Sequence, residues 1–152
     1  MKYSSYSPSL RVLIADDDVD DRQMLSDAIE GVKVDVEVHI VESGASLMEY
    51  LAHCNGNTPD LIFLDLNMPK KNGLECLNEI RTDVKFKGMM IAMYSSSSAV
   101  DEMENAFHAG ANIFITKPNS QLALDKIIKD VLSVYWQYHT SHLNKENFVM
   151  VR

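Results

Sequence analysis

The chain has 152 residues, 46% of them hydrophobic and 24% charged, with a formal net charge of −8. That length suffices for one domain with a real core, and the acidic balance excludes unaided, direct nucleic-acid binding, which needs a basic face. Cys54 and Cys76 lie far apart and fit no metal or disulfide spacing, so a reduced, cytoplasmic setting is expected. The opening Met1-Lys2-Tyr3-Ser4-Ser5-Tyr6-Ser7-Pro8 has no apolar core and is not a signal peptide. No run approaches the ~20 apolar residues of a membrane span.

Residues 1–9 are rich in Ser and Tyr and are expected to be mobile. Val12-Leu13-Ile14-Ala15 is a short apolar run that ends in Asp16-Asp17-Asp18, with Asp20-Asp21 just beyond. Five acids in six positions repel one another inside a strand. They suit a helix entry, where Asp18 or Asp20 can cap and negative charge meets the positive helix end. Met24, Leu25, Ala28 and Ile29 then recur at helical spacing, and Gly31 closes the helix. Val34, Val36, Val38 and Ile40 alternate with Asp35, Glu37 and His39, the pattern of a half-exposed strand near a sheet edge. Ser43-Gly44 breaks the chain, and Leu47, Met48 and Leu51 mark a second helix.

Leu61-Ile62-Phe63-Leu64 is a run of four large apolar residues, the pattern of a strand covered on both faces. It ends at Asp65, and Pro69 forbids continuation of the ladder. An acid at a strand end is often no more than a turn former. Leu74, Leu77 and Ile80 line a third helix. Met89 to Tyr94 forms another buried strand, ending in Ser95-Ser96-Ser97-Ser98. Val100, Met103, Ala106 and Phe107 make a fourth helix, stopped at Gly110. Asn112 to Thr116 is a fifth strand, followed by Lys117-Pro118, and Leu124, Ile127, Ile128, Val131, Leu132 and Tyr135 stripe a last helix. The nine methionines read as adaptable core filler.

Strands alternating with helices imply an α/β fold: a doubly wound parallel sheet with right-handed crossovers and helices on both faces. Every strand then exits at one rim, where ligands and chemistry collect in such sheets. That rim carries Asp16, Asp17, Asp65, Ser95 and Lys117. Carboxylates brought together repel unless a cation joins them, and Mg2+ suits one or two carboxylates plus waters and a phosphate. Asp65 could serve as a covalent nucleophile. A phosphoryl group there would meet metal, the Lys117 ammonium, the Ser95 hydroxyl and backbone amides. Asn67 could offer its backbone carbonyl to the metal.

The chain resembles the receiver domains of bacterial two-component response regulators from about Leu10 to Tyr135. The likeness is carried jointly by Val12-Leu13-Ile14-Ala15-Asp16-Asp17-Asp18, Leu64-Asp65-Leu66-Asn67-Met68-Pro69, Asn72-Gly73, Ser95, Gly110-Ala111 and Thr116-Lys117-Pro118. It implies a flavodoxin-like, five-stranded parallel sheet in the order 2-1-3-4-5 with five helices. It also implies Asp65 as phosphoacceptor and Asp16, Asp17, Asp65 and Asn67 as the Mg2+ site. Asp17 would be the direct ligand of the acidic pair and Asp16 would act largely through water. Ser95 holds the switch hydroxyl position and Lys117 that of the phosphoryl-contacting lysine. Phe114 fills the position of the switch aromatic, although an apolar strand residue needs no such role. Asn67 and Ser97 fall at lifetime-tuning positions, and the family usually has a cis bond before the proline of Lys-Pro.

The implied partners are a sensor histidine kinase or phosphotransfer protein and a downstream protein. Residues 10–135 form the expected receiver domain, and 136–152 a C-terminal extension too short for an output module. A stand-alone, single-domain receiver is therefore expected, which catalyses only its own phosphorylation and dephosphorylation. The extension's apolar residues, including Trp136, Tyr138, Phe148, Met150 and Val151, could pack back on the domain or support a homodimer. His139 and His142 have metal-compatible spacing but no acids nearby, and read as solvated. A haloacid-dehalogenase-like aspartyl phosphatase is the main alternative, but it needs an acid where Asn67 stands. A flavodoxin-like cofactor binder would need a phosphate loop where this chain has acids.

Overall fold

Alternating side chains on the strands divide the interior of the protein into two cores. The computed structural model describes residues 9–141 and 150–151, with side chains to Tyr135. The strands are β1 (Leu10–Ala15), β2 (Val36–Val41), β3 (Leu61–Asp65), β4 (Met90–Ser95), β5 (Ile113–Thr116) and β6 (Met150–Val151). The helices are α1 (Val19–Glu30), α2 (Gly44–Ala52), α3 (Gly73–Thr82), α4 (Val100–His108) and α5 (Gln121–Ser141), with a 3₁₀ turn at Val84–Phe86.

The strands pair in parallel in the order β2-β1-β3-β4-β5-β6. The expected order 2-1-3-4-5 holds. The sixth strand adds two residues of the C-terminal extension to the edge of β5, pairing Ile113 with Met150 and Phe114 with Val151. β2 is the opposite edge: Glu37 and His39 are exposed on one face, and Ile40, on the other face with Val36 and Val38, is exposed as well.

Leu10, Val12, Ile14, Leu61, Phe63, Met90, Ala92, Ile113 and Ile115 point to one face and pack against α1 and α5. Leu13, Ala15, Ile62, Leu64, Ile91, Met93 and Phe114 point to the other, against α2, α3 and α4. The period of two on strands covered from both sides accounts for the near-continuous apolar runs of β1, β3 and β4. Truncating a core residue such as Leu25 or Leu77 to Ala would cost about 2–5 kcal/mol.

Several sequence expectations need correction. Val100 does not face the core: it is 65% exposed, and Ala106 is the buried residue of α4. Position 100 is the first residue of its helix, where the chain has not yet turned its apolar stripe inward. Cys76, not counted among the core residues, is buried on α3 against the Gly44 carbonyl. The bond before Pro118 is not cis, since no cis peptide occurs among the described residues; trans is the ordinary preference of an X–Pro bond. Residues 1–8, His142 and Phe148 lie outside the described residues, as do the side chains of Trp136, Tyr138 and His139.

Candidate functional site

The register of the sheet brings the strand ends level. Ala15 pairs with Leu64, Asp65 with Tyr94, and Ser95 with Thr116. The next residue along β1 is Asp16, and the next along β5 is Lys117. Three acids and a lysine from three separate segments therefore meet at one rim. Asp16, Asp17 and Asp65 each place a carboxylate oxygen within 4.8 Å of the others. Lys117 Nζ lies 3.0 Å from Asp16 Oδ2 and 3.6 Å from Asp65 Oδ1. The latter is beyond hydrogen-bond length.

Each group is fixed locally. Asp16 is buried; its Oδ1 accepts from the Asp18 N–H at 2.9 Å, and its Oδ2 from Lys117. Asp17 is exposed. Asp18 is the N-cap of α1, accepting from the Asp21 N–H at 3.0 Å, which settles its part as helix entry. Asp65 is 4% exposed and its Oδ1 accepts from the Asn67 N–H at 3.2 Å. Behind it the chain folds back tightly: a Cβ on Gly73 would sit 2.2 Å from the Asp65 carbonyl oxygen. Only glycine fits there, which gives the Asn72-Gly73 pair its structural reason. Asn72 then caps α3 in a reciprocal box with Glu75.

Lys117 lies over the Tyr94 ring, 5.0 Å from its centroid. Its backbone N–H donates to the Ser95 carbonyl at 2.6 Å, tying the ends of β4 and β5 together. Ser95 is fully buried, and its hydroxyl accepts from the Ser97 N–H at 3.1 Å. Phe114 is also fully buried, in the core beneath α2, α3 and α4.

The charges at the rim shift one another. Burial raises the Asp65 carboxyl to about 7; the Asp16 charge and the Asp17 carboxyl push the same way, against Lys117 and the Asn67 N–H. Burial alone would depress the Lys117 ammonium. The hydrogen bond to Asp21 and the charges of Asp16 and Asp65 reverse this and push it above its ordinary value. The set is rich in hard oxygen donors and short of positive charge, which fits a divalent cation of the Mg2+ or Mn2+ type.

One participant was not among the residues singled out from the sequence. Asp21 Oδ2 is 2.7 Å from Lys117 Nζ, the shortest of the lysine's contacts. Among five clustered acids it read as helix-entry charge. Its helical position, one turn beyond Asp17 and Asp18, was the available signal.

Comparisons with known proteins agree with this geometry. The family model of the response regulator receiver domain matches residues 12–129. Response regulator Rcp1 of Synechocystis sp. is 27% identical over 134 residues, covering 86% of this chain and 90% of Rcp1. The chemotaxis protein CheY1 of Helicobacter pylori is 30% identical over 123 residues, covering 81% of this chain and 97% of CheY1. Among solved structures, the phosphorylated cyanobacterial phytochrome response regulator RcpA is similar with a TM-score of 0.78 and 29% identity, over 90% of this chain and 98% of that one. The Mn2+-bound form of response regulator Rcp1 is similar with a TM-score of 0.77 and 26% identity, over 86% of this chain and 96% of that one. Receiver domains accept phosphoryl groups from histidine kinases and bind Mg2+ or Mn2+ at an acidic pocket. The haloacid-dehalogenase reading finds no support among these relatives. Fold, rim geometry and relatives together place the chain in the response-regulator receiver-domain family of two-component signalling.

Proposed function

We propose that Asp65 is the phosphoacceptor of this receiver, taking a phosphoryl group from a sensor histidine kinase or phosphotransfer protein. The observation that supports this reading is the juxtaposition of a buried carboxylate, two further acids within 4.8 Å and an ammonium 3.6 Å away. An Asp65 oxygen attacks phosphorus as the bond from phosphorus to the donor histidine nitrogen breaks. An acyl phosphate forms and the freed imidazole keeps the electron pair. Asp16, Asp17, Asp65 and the Asn67 carbonyl would hold Mg2+, which when bound neutralises charge on the phosphoryl oxygens.

Lys117 contributes a positive charge 3.6 Å from Asp65. Ser95 supplies a hydroxyl donor once it gives up its local turn. Its departure would leave space for Phe114, and the changed surface around β4 and β5 would select a downstream protein partner. The protein acts in the cytoplasm as a signalling element, with no small-molecule substrate to turn over beyond its phosphodonor and water.

Labelling with acetyl phosphate and Mg2+ tests the assignment. One phosphoryl group per chain is expected in the wild type and none in Asp65→Asn. Continuous release of phosphate from unrelated phosphoesters would instead favour a phosphatase.

A further inference from the structure

The hydrogen bonding of the α1 entry leaves one acid with an unusual task. Asp21 is the third residue of the helix after its Asp18 cap. In a reciprocal capping box, an acid at that place reaches back to the cap residue's own N–H. Here that N–H is already taken by Asp16 Oδ1, at 2.9 Å. The Asp21 carboxylate turns instead to Lys117 Nζ, at 2.7 Å. The ammonium has three N–H donors. One goes to Asp21 and one to Asp16, at 3.0 Å, while Asp65 stands off at 3.6 Å. The lysine's shortest contact is thus not with the residue whose modification it would sense. The Asp21 side chain is 31% exposed, against 1% for Asp16, so Asp21 is the partner that water can replace at lower cost.

We propose that Asp21 is a positioning residue that holds Lys117 back from Asp65 in the unphosphorylated protein and yields it when a phosphoryl group arrives. This rests on the reading of Asp65 as phosphoacceptor. A tetrahedral anion on Asp65 must draw the ammonium away from Asp21, so the Asp21 attraction is subtracted from the anion's binding. Asp21 also adds a negative charge beside the incoming one. Both effects act against the anion, and both favour a cation at the same rim.

That opposition supplies the test. Asp21→Asn keeps the shape and removes the charge; Asp21→Glu keeps the charge. Beryllofluoride, a phosphoryl mimic, is titrated at saturating Mg2+ by calorimetry, and Mg2+ alone is titrated separately. Asp21→Asn should bind beryllofluoride about three- to tenfold tighter, the range of a Coulomb gain of one charge at a partly exposed site. It should bind Mg2+ alone no better than wild type, and Asp21→Glu should stay close to wild type on both. Unchanged or weaker beryllofluoride binding in Asp21→Asn overturns the proposal, because a merely structural Asp21 would weaken both ligands together. If Asp21→Asn melts early, Asp21→Ser takes its place in the same titrations. A wild-type protein that binds no beryllofluoride removes the phosphoacceptor reading itself, and the role of Asp21 with it.

Discussion

Two half-buried cations, Lys117 and Arg81, are held in opposite ways. Arg81, in the last turn of α3, meets only neutral acceptors among the described residues. Its Nε donates to the Gly110 carbonyl at 2.9 Å, Nη1 to the Phe86 carbonyl at 3.1 Å and Nη2 to Asn112 Oδ1 at 2.7 Å. Asn112 Oδ1 also accepts from the Ile91 N–H at 2.9 Å, so the fork joins α3 to the ends of β4 and β5. Gly110 is tied in by its shape, with φ at 110° and a Cβ position 2.7 Å from the Arg81 side chain. Lys117 instead meets three carboxylates and lies nearest the two that are not Asp65. A planar fork on fixed carbonyls has nothing to gain by moving. A compact ammonium among competing anions moves whenever their balance of charge changes. The first arrangement holds the fold and the second leaves the site able to respond.

The contrast breaks most visibly at Arg81. Arg81→Met removes several charge-assisted hydrogen bonds at once, at roughly 1.5–3 kcal/mol each, and should cost about 3–5 kcal/mol of stability. Urea unfolding measures this, while beryllofluoride affinity per folded molecule should change less than twofold. Arg81→Lys should recover only a minor part, since one ammonium cannot span the fork. A large loss of anion binding in the folded variant would join two regions that the geometry keeps apart.

A smaller effect sharpens the rim side. The Asp65 carboxyl lies near 3.8 in an unfolded chain and at about 7 in the metal-free fold. The folded protein therefore holds this proton more tightly. The stability linked to it is fully present below about pH 4 and is lost as pH rises through about 7. Against Asp65→Asn, the wild type should fall behind by a few kcal/mol between those limits and then level off. Excess Mg2+ should flatten the difference. Paired urea titrations across pH check the sign, and a difference independent of pH contradicts it. Arg81 carries no such dependence, because its partners do not titrate.

The sequence made some of this legible and not the rest, for physical reasons. Asp16, Asp17, Asp65, Ser95 and Lys117 could be brought together on paper because each sits at or just past the end of an apolar run, and parallel strands share an exit rim. The two-sided burial of β3 followed from its unbroken apolar stretch. Arg81 gave no signal, because its partners are mostly backbone carbonyls, and Gly110 and Asn112 lie in a segment distant along the chain. Asp21 was hidden for another reason. Its neighbours Asp18 and Asp20 suit a helix entry equally well, and only the occupied Asp18 N–H sets it apart. Val100 failed on phase, since helical spacing alone does not say which turn reaches the core. The pairing of Met150 and Val151 with β5 depends on the free edge of a neighbouring strand, a property of the sheet rather than of those two residues.

The most direct measurement is a crystal structure of the protein with Mg2+ and beryllofluoride. The beryllium should be bonded to an Asp65 oxygen, with Lys117 Nζ within hydrogen-bond length of a fluorine, displaced from Asp21, and the Arg81 fork unmoved. Beryllofluoride seated away from Asp65, or a lysine still clasped by Asp21 while the anion occupies Asp65, would contradict the account.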